Sequence, residues 1–382
     1  MQQRTVVFAG QTVAYVTRPG FSGWDGVPPD HILMAEQIDA RPHACLILGG
    51  GHGALAVWLA QRFPALPVAL VEGDVIARGC ASRSSAPFAA VRCLADGLTP
   101  ALPAASVDLA LLSLPQSRAL ARRRLRAAHD ALAPGGTLLL AGPNDLGIQS
   151  ATADAAALFG GCVQLGYRAR NRVASATRLD RPPPPPPWAA APGIAPGSWG
   201  SFRAAVAGEE RDLVTLPGVF AAEKLDAGTR LLLEHAPLAP VQRALDMGCG
   251  CGVIGLAALL RGAATADLVD VNLLAVAAAA ENLARHGLAA RGAAIAGDGM
   301  AAVAGRRYDL ILANPPFHIG KEVDLAMASA FFAQAAQQLS PGGRLLLVAN
   351  QFLAYEPPLR QAFGSVERVA RRDGYVVLAA AR

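Results

Sequence analysis

The chain has 382 residues, 34 Lys and Arg against 29 Asp and Glu, a net charge of +5 and six cysteines. That length accommodates two ordinary domains, while so few scattered cysteines exclude a disulfide scaffold. The modest positive charge permits a polyanionic partner without demanding one. No paired-cysteine metal spacing occurs, and Cys249-Gly250-Cys251 reads as small side chains beside a tight turn, so no metal is expected. The N-terminus lacks a basic-then-apolar leader and no apolar run reaches membrane length, so a soluble, cytoplasmic protein without a membrane partner is expected.

In chain order, the apolar run Cys45 to Leu48 reads as a strand entering the glycine loop Gly49 to Gly53. Leu70-Val71-Glu72 reads as the next strand. Arg118, Arg122, Arg123, Arg124 and Arg126 then crowd one helical stretch, and Arg168, Arg170, Arg172 and Arg178 line a later segment. Each cluster alone is read as a solvated face; two of them in one half make an RNA backbone a contender. Six prolines, Pro182 to Pro187, favour polyproline II and a semi-rigid spacer of roughly 19 Å.

Beyond the spacer, Ser201 to Val206 and Leu213 to Thr215 suggest a hairpin. Ala244 to Met247 is a strand entering Gly248, Gly250 and Gly252; Leu268-Val269-Asp270 is the next strand, and Val276 to His286 a helix. The strand Leu310 to Ala313 stops at Asn314-Pro315-Pro316-Phe317, a helix spans Ala326 to Leu339, and Tyr375 to Ala379 closes the chain as a strand. Five landmarks recur between the halves at a nearly constant offset of about 200 residues, which indicates a duplicated domain. The alternation implies an α/β protein of two doubly wound, mostly parallel sheets: residues 1–180, a linker 181–199, and residues 200–382.

Prolines at 315 and 316 cannot continue a central strand, so they hold a rigid loop at the sheet edge where open α/β folds bind ligands. There the Asn314 side-chain oxygen and the Pro315 carbonyl can accept both hydrogens of a planar amine while Phe317 stacks on its ring. Alone, the same four residues would serve equally as a proline-terminated strand with a core Phe. Gly248, Gly250 and Gly252 let backbone approach a ligand, and Asp270 can accept from both hydroxyls of a ribose. Val253 departs from the dinucleotide fingerprint at its third small residue.

The Asp-x-Gly-x-Gly-x-Gly pattern from Asp246 to Gly252 resembles the first motif of class I S-adenosylmethionine methyltransferases. That resemblance puts Asp246 near the methionine amino group and Asp298 at the adenine edge. Leu216 to Phe220, Leu225 to Thr229, Asn314 to His318 and Val348-Ala349-Asn350 together resemble the tandem-domain ribosomal RNA guanine-N2 methyltransferases, with Rossmann-like domains. The match covers the second half and, more loosely, the first through Gly147 to Ser150. It implies methyl transfer from S-adenosylmethionine to the 2-amino group of one guanine in ribosomal RNA, free or within a subunit; a monomer is expected. It adds Thr229 to the cofactor residues and gives the first half a role in folding and RNA binding. The Leu216 to Thr229 segments favour the small-subunit branch over the large; Val376-Val377-Leu378 is closer to the large.

In the first half Ile47 takes the place of Asp246, and Ser113 to Gln116 replace Asn314 to Phe317, so that copy should not methylate an amine. Gly49, Gly51, Ala54 and Glu72 formally permit a dinucleotide there. Rival readings are methylation of another amine, adenine N6 in DNA or a protein glutamine, and a non-catalytic RNA-binding protein. His318 could relay the lost proton or be a structural loop histidine.

Overall fold

Glycine-terminated strands alternate with alanine-rich helices in both halves, and each half folds around its own seven-stranded sheet. The computed structural model describes residues 1–236, 241–315, 318–319, 322–323 and 325–382; for 318–319, 322–323, 325 and 326 it describes the backbone alone. Two compact units result, Met1–Trp199 and Gly200–Arg382.

In the first unit, β1 (Gln2–Phe8) and β2 (Gln11–Thr17) form a hairpin. There follow α1 (Pro29–Ala35), β3 (Cys45–Leu48), α2 (Ala54–Arg62), β4 (Val68–Glu72), α3 (Val75–Ser84), β5 (Val91–Ala95) and β6 (Val107–Ser113). Then come α4 (Arg118–Ala131), β7 (Leu132–Pro143), α5 (Ile148–Phe159), β8 (Val163–Arg168) and β9 (Asn171–Thr177). The sheet order is β5-β4-β3-β6-β7-β9-β8, parallel except that β9 runs antiparallel to β7 and β8. Every residue of β3 and β4 is buried, as expected of parallel strands covered on both faces.

The second unit repeats this plan. After the hairpin β10 (Gly200–Val206) and β11 (Glu209–Thr215) come α6 (Ala227–His235), β12 (Arg243–Met247), α7 (Val253–Leu260), β13 (Thr265–Asp270) and α8 (Leu273–Arg285). Next are β14 (Gly292–Ala296), β15 (Tyr308–Ala313), the two-residue pair β16 (His318–Ile319) and β17 (Glu322–Val323), and α9 (Leu325–Gln338). The chain ends with β18 (Leu339–Asn350), α10 (Glu356–Phe363), β19 (Glu367–Arg372) and β20 (Tyr375–Ala381). The order β14-β13-β12-β15-β18-β20-β19 matches the first sheet strand for strand. α8 begins three residues before the periodicity predicts, because the Asn272 side chain caps it by accepting the Leu274 N–H at 3.0 Å.

Four of the five arginines in the first cluster are paired within the unit. Arg118 and Arg122 both fork onto Asp154 of α5 at 2.9–3.0 Å, Arg123 pairs with Asp96, and Arg126 with Asp130 one turn on. Both guanidiniums lock α4 to α5 through a carboxylate that is 7% exposed. Asp154→Ala leaves two cations facing each other and should cost about 2 kcal/mol, read as a lower urea midpoint. The second cluster lies on β8, β9, their turn and, for Arg178, the residue after β9; Arg168 pairs with Glu36 and Arg172 covers the exposed Tyr167 ring at 5.3 Å. Within the proline run Pro186 is extended at φ −63°, ψ 151°, and Pro187 opens a short 3-10 turn; there Arg122 lies over the Trp188 ring and Ala189 is buried.

Candidate active site

In the second sheet the chain moves outward from β12 through β13 to β14, then returns to β15 on the opposite side. Between β12 and β15 lies the switch point, where neighbouring loops diverge and leave a crevice at the strands' carboxyl ends. The parallel register pairs Met247 with Ala313, so the glycine loop from Gly248 and the loop from Asn314 leave adjacent strands at the same level. Asp270 ends β13, and Asp298 follows β14 by two residues. Chemistry-bearing residues far apart in sequence thus share one edge.

Gly248, Gly250 and Gly252 all have positive φ, at 72°, 54° and 86°. A Cβ on Gly252 would lie 2.9 Å from Leu268 Cδ2 and 3.2 Å from the Ala279 backbone, so α7 packs closely only without one. Gly252→Ala should therefore cost about 3 kcal/mol, seen as a lower unfolding midpoint of the full chain. At Gly250 the nearest atom to such a Cβ is the Phe220 carbonyl, 3.9 Å away, which leaves space above the loop.

The acids divide by environment. Asp246 is fully buried; its Oδ2 accepts the Gly255 N–H at 2.8 Å, while Oδ1 has no partner among the described residues. Burial pushes this carboxyl up to about 7, and the nearby Asp270 charge adds to the rise. Asp270 accepts N–H groups from Gly250 and Asn272 at 2.9 and 2.8 Å; burial raises its pKa against those bonds. Asp298 is exposed at the start of a short turn of helix.

Asn314 is half-buried beside α6. Its Nδ2 donates to Asp226 Oδ2 at 3.1 Å and to Thr229 Oγ1 at 2.9 Å, and Asp226 Oδ2 also accepts the Thr229 N–H at 3.0 Å. Thr229, expected among cofactor residues, thus has its hydroxyl on Asn314. Asp226 had no expected role; a sequence signal existed, an acid three residues before Thr at a helix start. Pro315 is half-buried, whereas Pro316 and Phe317 lie outside the described residues, as does the side chain of His318.

The first unit keeps the frame and sets arginines beside the crevice. Glu72 Oε2 accepts the Gly51 N–H at 2.9 Å, as Asp270 does from Gly250. Arg124 Nη1 lies 2.6 Å from where a Gly49 Cβ would be, and Arg123 holds Asp96, the counterpart of Asp298. Leu48, Val71 and Asp96 line a pocket there together with these arginines.

The family model described as Methyltransferase small domain matches residues 210–379. The ribosomal RNA small subunit methyltransferase C of Pseudomonas entomophila is 36% identical over 288 residues, 74% of this chain and 81% of its own. That of Shewanella loihica is 34% identical over 275 residues, 71% of this chain and 76% of its own. The chain belongs to the ribosomal RNA small subunit methyltransferase C family. A T. thermophilus 16S rRNA N2 G1207 methyltransferase, solved in complex with AdoMet and guanosine, matches over 100% of this chain and 98% of its own, with 30% identity and a TM-score of 0.82. Membership in the methyltransferase C family decides between the two ribosomal branches in favour of the small subunit. The match over the whole chain also makes both sheets Rossmann-like methyltransferase folds. Among the described residues, no helix is long and apolar enough to cross a membrane.

Proposed function

We propose that the second unit transfers a methyl group from S-adenosylmethionine to the exocyclic N2 of one guanine in 16S rRNA, the counterpart of the T. thermophilus G1207. The observation that carries this reading is the Asn314 amide, held by its NH2 group at the switch point, in a chain that aligns end to end with that enzyme. The crevice suits the cofactor: Asp246 Oδ1 is a buried acceptor without a partner among the described residues, and a Gly250 Cβ position is open. Asp246 would meet the methionine ammonium, the backbone at Gly248, Gly250 and Gly252 would pass close to the ligand, and Asp270 would meet the ribose and Asp298 the adenine. Bound there, the cofactor supplies an electrophilic methyl group.

The chain's own residues supply orientation. Asn314 Oδ1 and the Pro315 carbonyl accept the two N2 hydrogens, Pro316 stiffens the loop, and Phe317 stacks on the guanine once it leaves its helix. Flipping costs on the order of a few kcal/mol, least for an unpaired base. Two acceptors on one amine favour a tetrahedral nitrogen with its lone pair toward the methyl group, and they bind it more tightly as it gains positive charge. One hydrogen then leaves N2 as a proton to water. Residues 200–382 form the catalytic unit of this reading. Residues 1–180 form a non-methylating copy that supports folding and RNA binding, and 181–199 connect the two. The enzyme acts as a cytoplasmic monomer on ribosomal RNA.

Incubation of tritiated S-adenosylmethionine with small subunits from a deletion strain should label 16S rRNA, and digestion should release N2-methylguanosine. Label in N6-methyladenine, in 23S rRNA or in protein would sink the reading.

A further inference from the structure

Asn314 could face its ligand with either end of its amide, and only one end serves the proposed reaction. An ionised carboxylate only accepts hydrogen bonds, so the amide atom 3.1 Å from Asp226 Oδ2 has to be the nitrogen. Thr229 Oγ1, at 2.9 Å, takes the second hydrogen of the same NH2 group. With both donors occupied, Oδ1 is the atom left for the ligand.

The holder is itself rigid. Asp226 caps α6 through the Thr229 N–H, which fixes the carboxylate and the threonine in one turn. Gly228, between them, packs so closely under Tyr375 of β20 that a Cβ would lie 2.9 Å from the ring.

The first unit supplies a comparison within the same molecule. There Ser113, the counterpart of Asn314, donates its hydroxyl to Asp30 of α1. A link from the strand end to an aspartate at the helix start is therefore common to both copies. What the second unit adds is an amide that satisfies the aspartate and keeps a carbonyl oxygen in reserve. A carboxylate accepting from that amide also polarises it, which raises negative charge on Oδ1 where a positively charging N2 would donate.

We infer that Asp226 and Thr229 are positioning residues that lock the Asn314 amide with its oxygen toward the substrate and strengthen that oxygen as an acceptor. This rests on the proposed N2 methylation. The test is single-turnover transfer of tritiated methyl to small subunits from a deletion strain, with S-adenosylmethionine affinity by calorimetry and Tm measured alongside. Asp226→Asn keeps an acceptor for the helix cap but removes the charge, and should slow transfer about tenfold. Thr229→Val should slow it about tenfold as well, and Thr229→Ser should recover most of that loss. In all three variants affinity for S-adenosylmethionine should stay within about twofold of the wild type. The inference is overturned if the rates stay at the wild-type level, or if each loss is matched by lost cofactor affinity or lost folded protein. A wild-type chain that yields no N2-methylguanosine instead overturns the underlying reading, and this one with it.

Discussion

At about pH 8, Asp246→Asn should make the ligand-free chain harder to unfold by about 2 kcal/mol while weakening S-adenosylmethionine binding about a hundredfold. The Asp246 carboxylate lies fully buried with Oδ1 unpartnered among the described residues, and burial moves its pKa from 3.8 to about 7. Between those values the folded chain holds a proton that the unfolded chain has released. Stability therefore falls as pH rises through that window, and the full penalty is present above it. Asparagine carries no such penalty and can still accept the Gly255 N–H. The methionine ammonium would convert the penalty into binding, since it stabilises the charged form. Below about pH 7 binding must first expel a proton, so affinity should fall about tenfold per pH unit in the wild type and lose that slope in the variant. Calorimetry at three pH values decides it, and a flat wild-type profile would remove Asp246 from the ammonium site.

What the sequence disclosed were features encoded locally or by repetition. Gly248, Gly250 and Gly252 stand where the strand-to-helix turn needs positive φ, and the two glycine loops announced the duplication because both copies need that turn. The carboxylates at strand ends could be placed because parallel strands bring successive carboxyl ends to one edge. The hidden part was tertiary. Asp226 meets Asn314 across 88 residues, and no spacing rule reaches that far. Arg118, Arg122 and Arg123 read as a free cationic face because their partners, Asp154 and Asp96, lie tens of residues away, 36 for Arg118 and 27 for Arg123. Arg124 lies beside Gly49 in the first unit, a contact that a glycine pattern cannot register.

The duplication gives each site residue an internal control. Ile47 in place of Asp246 keeps the strand and loses the buried acceptor, and Ser113 in place of Asn314 keeps the link to the helix and loses the carbonyl. Neither replacement disturbs the strand order, which is the same in both sheets. Stability of this frame therefore does not require Asp246 or Asn314, and their presence in the second unit calls for a chemical reason.

Asn314→Ala should lower kcat about a thousandfold with S-adenosylmethionine affinity within about twofold of the wild type. Under the proposed mechanism truncation removes one of two acceptors for the N2 hydrogens, and it acts most where the nitrogen is gaining charge. The fold should tolerate it, since Asp226 retains the Thr229 N–H and Thr229 retains its place in the cap. Asn314→Asp gives a sharper contrast. It sets a second carboxylate about 3 Å from Asp226, and two such groups cannot both ionise, so one holds a proton. While that proton is shared, the variant keeps one carboxyl oxygen toward the substrate and some transfer persists. As pH rises the proton is lost, repulsion turns the new side chain away, and the rate falls. A residual rate that declines with pH in Asn314→Asp, beside a flat and very low rate in Asn314→Ala, is the expected pair of results. Equal, near-wild-type rates in both would show that the amide is only the end of a strand.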